Sequence, residues 1–342
     1  MTRLSFILAA ACIAAPAGVH AQRRPSPIPE SELVRRLGAT LDSLSAVGQF
    51  SGVVVLARQG QPVFQHAYGL ADREAGRRNE VGTAFNLGSI NKVFTQTAIH
   101  QLAAAGKLEL DSTLATYWPD YPNPDVARRV TIRQLLEHRS GIGGNIFAAP
   151  AGGQRRDLRH NRDYLPQFVG EPLMFEPGSQ ERYSNAGYVV LGMLVERLSG
   201  EDYYDYVRRH VYAPAGMTHT AAYAADSLPP NAARGYTTRA PGSREPVAAH
   251  LNTETLPGRG SSAGGGYSTA GDLVRFLQAL REGKVPGGPP VGLGVAGGAP
   301  GINAIMEGDL PGGYDLVVMT NLDPPAAQNI GRVVREWLGV TD

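Results

Sequence analysis

Leu33, Leu37, Leu41 and Leu44 follow one another at intervals of four, four and three. That spacing predicts an amphipathic helix, with Ser31 as its N-cap and Gly48 as its stop. The pattern then changes. Residues 50–57 and 62–69 are β-rich runs on either side of Arg58-Gln59-Gly60-Gln61, which reads as a hairpin. After a polar loop over 72–80 comes Phe85-Asn86-Leu87-Gly88-Ser89-Ile90-Asn91-Lys92, and behind it Phe94, Ala98 and Leu102 return to helical spacing.

The middle of the chain reads as mostly helical. Asp111 and Thr131 are expected N-caps, the second opening a helix from Ile132, and 148–172 is irregular and charged. A turn-rich stretch from Phe175 to Asn185 leads into a helix over 188–198 closed by Gly200, and another helix is expected over about 202–212. Residues 213–260 read as a long surface excursion with weak strands. A glycine-rich run, 264–270, opens a helix over 271–281, two strands follow at 301–306 and 314–321, and a helix over about 326–338 closes the chain. Strands at both ends with helices between predict an α+β fold, one antiparallel sheet built from both termini with a mainly helical lobe inserted. The sheet lobe is expected at about 30–92 and 266–342, the helical lobe at about 93–265.

Composition narrows the classes. A chain of 342 residues, 42% hydrophobic, holds one large domain or two intimate ones. A formal net charge of +1 gives no reason to expect nucleic acid as a partner. Arg3, the apolar run 4–17 and Val19-His20-Ala21 form an export signal, with cleavage expected after Ala21 and a linker over 22–29. The expected location is therefore secreted or periplasmic. The run is too short to span a membrane. Cys12, the one cysteine, lies inside it, and Ala9-Ala10-Ala11 before it argues against a lipoprotein anchor. The mature chain would then have no disulfide, no thiol nucleophile and no cysteine metal site. The eight histidines show no metal-ligand spacing, so no metal or cofactor is expected, and His138 reads as a structural hydrogen-bonder.

The candidate chemistry sits at Ser89. A serine hydroxyl needs a base to become a nucleophile. Lys92 lies one helical turn on, on the same face. In a dry setting its ammonium pKa falls and the amine can serve as that base, which an arginine cannot do. Lysine is scarce, with Lys92, Lys107 and Lys284 the only ones. A serine cap beside a surface lysine would produce the same spacing. Two decoys compete. Gly260-Ser261-Ser262-Ala263-Gly264 matches Gly-x-Ser-x-Gly, but lacks the strand before and helix after that a nucleophile elbow requires. Arg155, Arg156, Arg159 and His160 read as a solvated loop that could flank a cleft.

Ser89-x-x-Lys92 and Tyr183-Ser184-Asn185 stand in the order found in the serine β-lactamase and penicillin-binding protein superfamily, which this chain resembles over about 31–338. The likeness is nearest to the class C β-lactamase and DD-carboxypeptidase branch. Residues 135–141, 175–178 and 264–270 support it. The resemblance implies a β-lactamase/transpeptidase-like fold, Ser89 as acylated nucleophile and Lys92 as its base partner. It makes Tyr183 a proton relay, ionised beside the Lys92 cation, and Asn185 a group that holds Lys92 and the substrate amide. An oxyanion hole would use backbone N–H groups of Ser89 and Gly298. Where the branch carries Lys-Thr-Gly or His-x-Gly, this chain has Val295-Ala296-Gly297, and the turn and strand that normally precede that motif, after a run like 291–294, are missing. The resemblance thus implies an exported serine hydrolase acting on a small-molecule or peptide substrate, as peptidase, esterase or β-lactam hydrolase. Without a cation in the third motif, carboxylate-bearing substrates are disfavoured. The alternative is a penicillin-binding-like fold kept for binding without turnover, and a third reading is an esterase using Ser262.

Overall fold

A computed structural model describes residues 27–240, 245–290 and 292–340. The export signal, Cys12, most of the linker and Val291 lie outside these residues.

The first helix, α1 (Glu30–Ala46), buries Leu33, Leu37 and Leu41. It starts one residue before Ser31. Pro29 occupies the cap position, so the expected Ser31 cap is replaced by a first turn with Glu30 and Glu32 at the positive helix end. The hairpin follows as β1 (Gly52–Arg58) and β2 (Gln61–Tyr68). The C-terminal strands are β3 (Gly294–Ala299), β4 (Ile302–Leu310) and β5 (Tyr314–Thr320). The five form one sheet in the order β2-β1-β5-β4-β3. All neighbours are antiparallel, and the two chain ends join where Gly52 faces Thr320 and Arg58 faces Tyr314.

The buried run of β1 serves both faces of the sheet. Val53 and Val55 point into the larger core, while Val54 and Leu56 meet Leu33, Leu37 and Leu41 of α1. The same layer takes Ile330 and Val334 from α6 (Ala326–Trp337). The opposite face is covered by α5 (Ala270–Arg281) through Leu273, Phe276 and Leu277. A sheet covered on both sides explains why β1 and β5 lack polar alternation.

Between the two halves of the sheet lie α2 (Lys92–Ala104) and α3 (Asn185–Ser199), which pack on each other in the larger core. Ser184 caps α3 by accepting from the Gly187 N–H at 3.1 Å, and Gly200 ends it at φ 75°. Thr131 is an N-cap, as expected, and it forms a reciprocal capping box with Gln134. Asp111 does not cap a helix. Thr113 takes the N-cap position of the short helix Leu114–Tyr117, and the Asp111 carboxylate instead accepts from Arg133 at 2.6 and 2.9 Å. The helix expected over 202–212 is α4 (Tyr203–Val207) followed by a wider turn, Arg208–Tyr212. Within 213–260, Tyr236–Arg239 pairs with Pro246–Leu251. Among the described residues no helix is long and apolar enough to cross a membrane, and no cluster of three or more potential metal ligands occurs.

Candidate active site

Ser89 lies in a tight 3-10 turn, Gly88–Asn91, that runs directly into α2. The turn is held from two sides. Phe85–Asn86 pairs with Tyr267–Ser268, and the Leu87 N–H donates to the Gly266 carbonyl at 2.7 Å. On the other side it presses on β3. A Cβ at Gly297 would stand 1.9 Å from the Leu87 carbonyl oxygen, and one at Gly88, where φ is 51°, would meet the Gly298 nitrogen at 2.8 Å. Glycine is what allows turn and strand to approach this closely.

Lys92, the first residue of α2, is only 5% exposed. Its Nζ donates to Asn185 Oδ1 at 2.8 Å and to the Ala263 carbonyl, and stands 3.3 Å from Ser89 Oγ. Nζ also lies 4.8 Å from the centre of the Tyr183 ring and 5.3 Å from that of Tyr188. No carboxylate pairs with it among the described residues, and burial pushes its pKa down to about 7. Tyr183 donates its hydroxyl to Ser89 Oγ at 2.6 Å while 54% of the residue remains exposed. Burial of the rest raises the phenol above its usual value, against a smaller opposite pull from the Ser89 hydrogen bond. This runs against the expectation of a phenolate: the burial of the Tyr183 ring, which disfavours the charged form, outweighs the pull of the Ser89 hydrogen bond.

His138 positions this group. Its ring lies between those of Tyr183 and Tyr188, at 4.5 and 5.0 Å, and Nδ1 accepts from the Ser184 N–H at 3.1 Å. Burial, then the neighbouring Lys92 charge, push its pKa down to about 4, so it is neutral and an acceptor at neutral pH. That role matches the structural histidine read from the sequence, but its place beneath Tyr183 was not legible there.

The substituted third motif still forms a strand. β3 keeps an unbroken register with β4 from Ala299 opposite Ile302 to Gly294 opposite Glu307. Val295 is half-buried against the larger core. Asn303, fully buried, donates to the Gly297 carbonyl at 3.2 Å and accepts from the Ala327 N–H at 2.7 Å, tying the edge strand to α6. Gly298 and Ser89 border the same cleft of about 450 Å³, together with Asn185, Ala263 and Gly264. The strand therefore lies against the Ser89 turn.

Ser262 belongs elsewhere. Its hydroxyl is fully buried within hydrogen-bond distance of Asn161 Oδ1 (2.9 Å) and the Tyr188 carbonyl (2.8 Å), and Ser262 does not line the cleft. Of the basic loop, Arg159 pairs with Asp226 while Arg155 reaches the cleft.

The family model described as Beta-lactamase matches residues 37–336. The chain belongs to the Beta-lactamase family. Its relatives include Esterase EstB of Burkholderia gladioli, 32% identical over 349 residues, covering 91% of this chain and 86% of that protein. PbpX of Bacillus subtilis (strain 168) is 34% identical over 236 residues, or 69% of this chain, and the chain spans only 56% of PbpX. Among solved structures, the penicillin-binding protein from Bacillus halodurans superposes with a TM-score of 0.74 at 29% identity, over 86% of this chain and 98% of that one. The fold is thus the β-lactamase/transpeptidase-like one, and the family supports a hydrolase of the serine type.

Proposed function

We propose that this protein is an exported serine hydrolase that works through an acyl-enzyme on Ser89. The observation that carries the reading is the buried Lys92 amine 3.3 Å from Ser89 Oγ, with the Tyr183 hydroxyl on the other side of the same oxygen. A neutral amine has two N–H donors and one lone pair. The two donors are occupied by Asn185 Oδ1 and the Ala263 carbonyl, which leaves the lone pair for the Ser89 proton.

In acylation, Ser89 Oγ attacks the substrate carbonyl carbon as its proton passes to Lys92. We assign the oxyanion to the backbone N–H groups of Ser89 and Gly298, two residues that line the same cleft. The bond to the leaving group then breaks while the Tyr183 hydroxyl hands it a proton, and the proton on Lys92 restores the phenol. A water adds to the acyl carbon by the same groups in reverse, releasing the acid and returning a proton to Ser89 Oγ. The cleft walls are mostly apolar, and Val295 offers nothing to a carboxylate at the third-motif position. This disfavours a substrate carboxylate held at β3 and favours esters or amides with an apolar body, in keeping with the likeness to an esterase. Export is supported by the sequence of 3–21.

The test is intact-mass spectrometry after exposure to a fluorophosphonate probe. A single adduct on the native chain, absent from Ser89→Ala, is the expected result. No adduct on folded protein would overturn the reading in favour of a binding protein without turnover, and an adduct that persists in Ser89→Ala would move the nucleophile elsewhere.

A further inference from the structure

The cleft beside Ser89 has an apolar wall that includes Ile146, Phe147, Leu158, Leu256 and Ile302. A single charged side chain, Arg155, shares its lining. Other arginines near this lobe are answered by carboxylates: Arg129 by Asp125 and Glu176, Arg133 by Asp111, Arg159 by Asp226. Arg155 is not. Among the described residues no carboxylate lies within ion-pair distance of it, and its guanidinium makes one hydrogen bond, from Nη1 to the Thr255 carbonyl at 2.8 Å. Asp157, two residues on, is turned back onto the Gln154 N–H at 2.7 Å. A guanidinium has five N–H donors in a planar fork that fits a carboxylate bidentately. Among the described residues four of the five have no acceptor, the side chain is half-buried, and the space it borders is the cleft itself.

The geometry points to Arg155 as an anchor for a free carboxylate on the substrate, with an apolar body filling the cleft and the reacting carbonyl at Ser89. The substrate class is then a half-ester or half-amide of a dicarboxylic acid. The anion is held by the loop wall rather than by β3, where Val295 stands. This rests on the proposed hydrolase reading only for the carbonyl at Ser89.

The test uses the Ser89→Ala chain, so that binding is read without turnover. Calorimetry compares the monomethyl esters of succinate, adipate, suberate and sebacate with their dimethyl counterparts. At least one half-ester should bind roughly tenfold or more tightly than its neutral partner. Arg155→Gln keeps an N–H for the Thr255 carbonyl but removes the charge, and should abolish that preference. Arg155→Lys should retain part of it. A purely structural tether would weaken acid and neutral ligands alike. No acid preference anywhere in the series, or a preference that survives Arg155→Gln, overturns the proposal. If fluorophosphonate fails to label the chain with Ser89 intact while the acid preference holds, the anchor stands and only the hydrolase reading falls.

Discussion

The protonation of Lys92 sets a sharp expectation for the rate at which Ser89 reacts. With a pKa of about 7, the amine is half neutral at pH 7. It is then about 1% neutral at pH 5 and about 99% neutral at pH 9, one decade per pH unit away from the midpoint. If the neutral amine takes the Ser89 proton, the second-order rate of fluorophosphonate labelling should rise about a hundredfold from pH 5 to pH 9, with its midpoint near 7 and a plateau above 8. The sign follows from burial, which disfavours the ammonium and moves the midpoint below the ordinary lysine value of 10.5. The Tyr183 phenol, held above its usual value, should not bend the curve in this range. Labelling is followed by mass spectrometry in buffers of constant ionic strength. Lys92→Arg, whose guanidinium stays charged throughout, should lose the rising limb and label roughly 10²–10⁴-fold more slowly at the plateau. A profile still climbing tenfold per unit at pH 9, or one that is flat from pH 5, would refute the assignment of Lys92 as base.

Two further predictions test the surrounding geometry. Tyr183→Phe keeps the ring on His138 and removes only the hydroxyl on Ser89. It should slow hydrolysis of alkyl esters by roughly 10²–10⁴-fold, but p-nitrophenyl esters far less, since their leaving group needs no proton; equal losses would remove the proton-relay role. Gly297→Ala puts a methyl 1.9 Å from a backbone oxygen, so β3 must move off the Ser89 turn. It should destabilise the fold by about 1–3 kcal/mol, seen as a lower Tm, and slow labelling more than tenfold; an unchanged Tm would show that the close approach is not real.

Much of the frame was legible in the chain because its signals are local. The Leu33–Leu37–Leu41 spacing, the N-cap at Thr131 and Gly200 behind α3 each depend on neighbours a few residues apart. The spacing of Ser89 and Lys92 was legible for the same reason. The misses are positions decided by distant partners. Asp111 has the chemistry of a cap, but Arg133 claims its carboxylate. The ionisation of Tyr183 depends on how far its ring is buried, which partners distant in sequence such as Ser89 and His138 decide. Asn303 reads as one polar residue in a strand; its two hydrogen bonds to β3 and α6 make it a clamp. Arg155 gave a partial signal in the basic run, yet nothing there separates it from Arg159, which finds Asp226.

The sheet that joins both ends of the chain has a consequence for synthesis. Gly52 waits for Thr320, and the Ser89 turn waits for Gly266 and Gly297, before either is secured. Contacts this distant in sequence form late, after the cost of closing a long loop has been met. A growing chain that has already made Ser89 and Lys92 therefore lacks the wall and the strand that give the serine its surroundings. On the proposed reading, reactivity would arrive all at once with the last strands, and a chain that stalls partway would carry Ser89 without the surroundings that activate it.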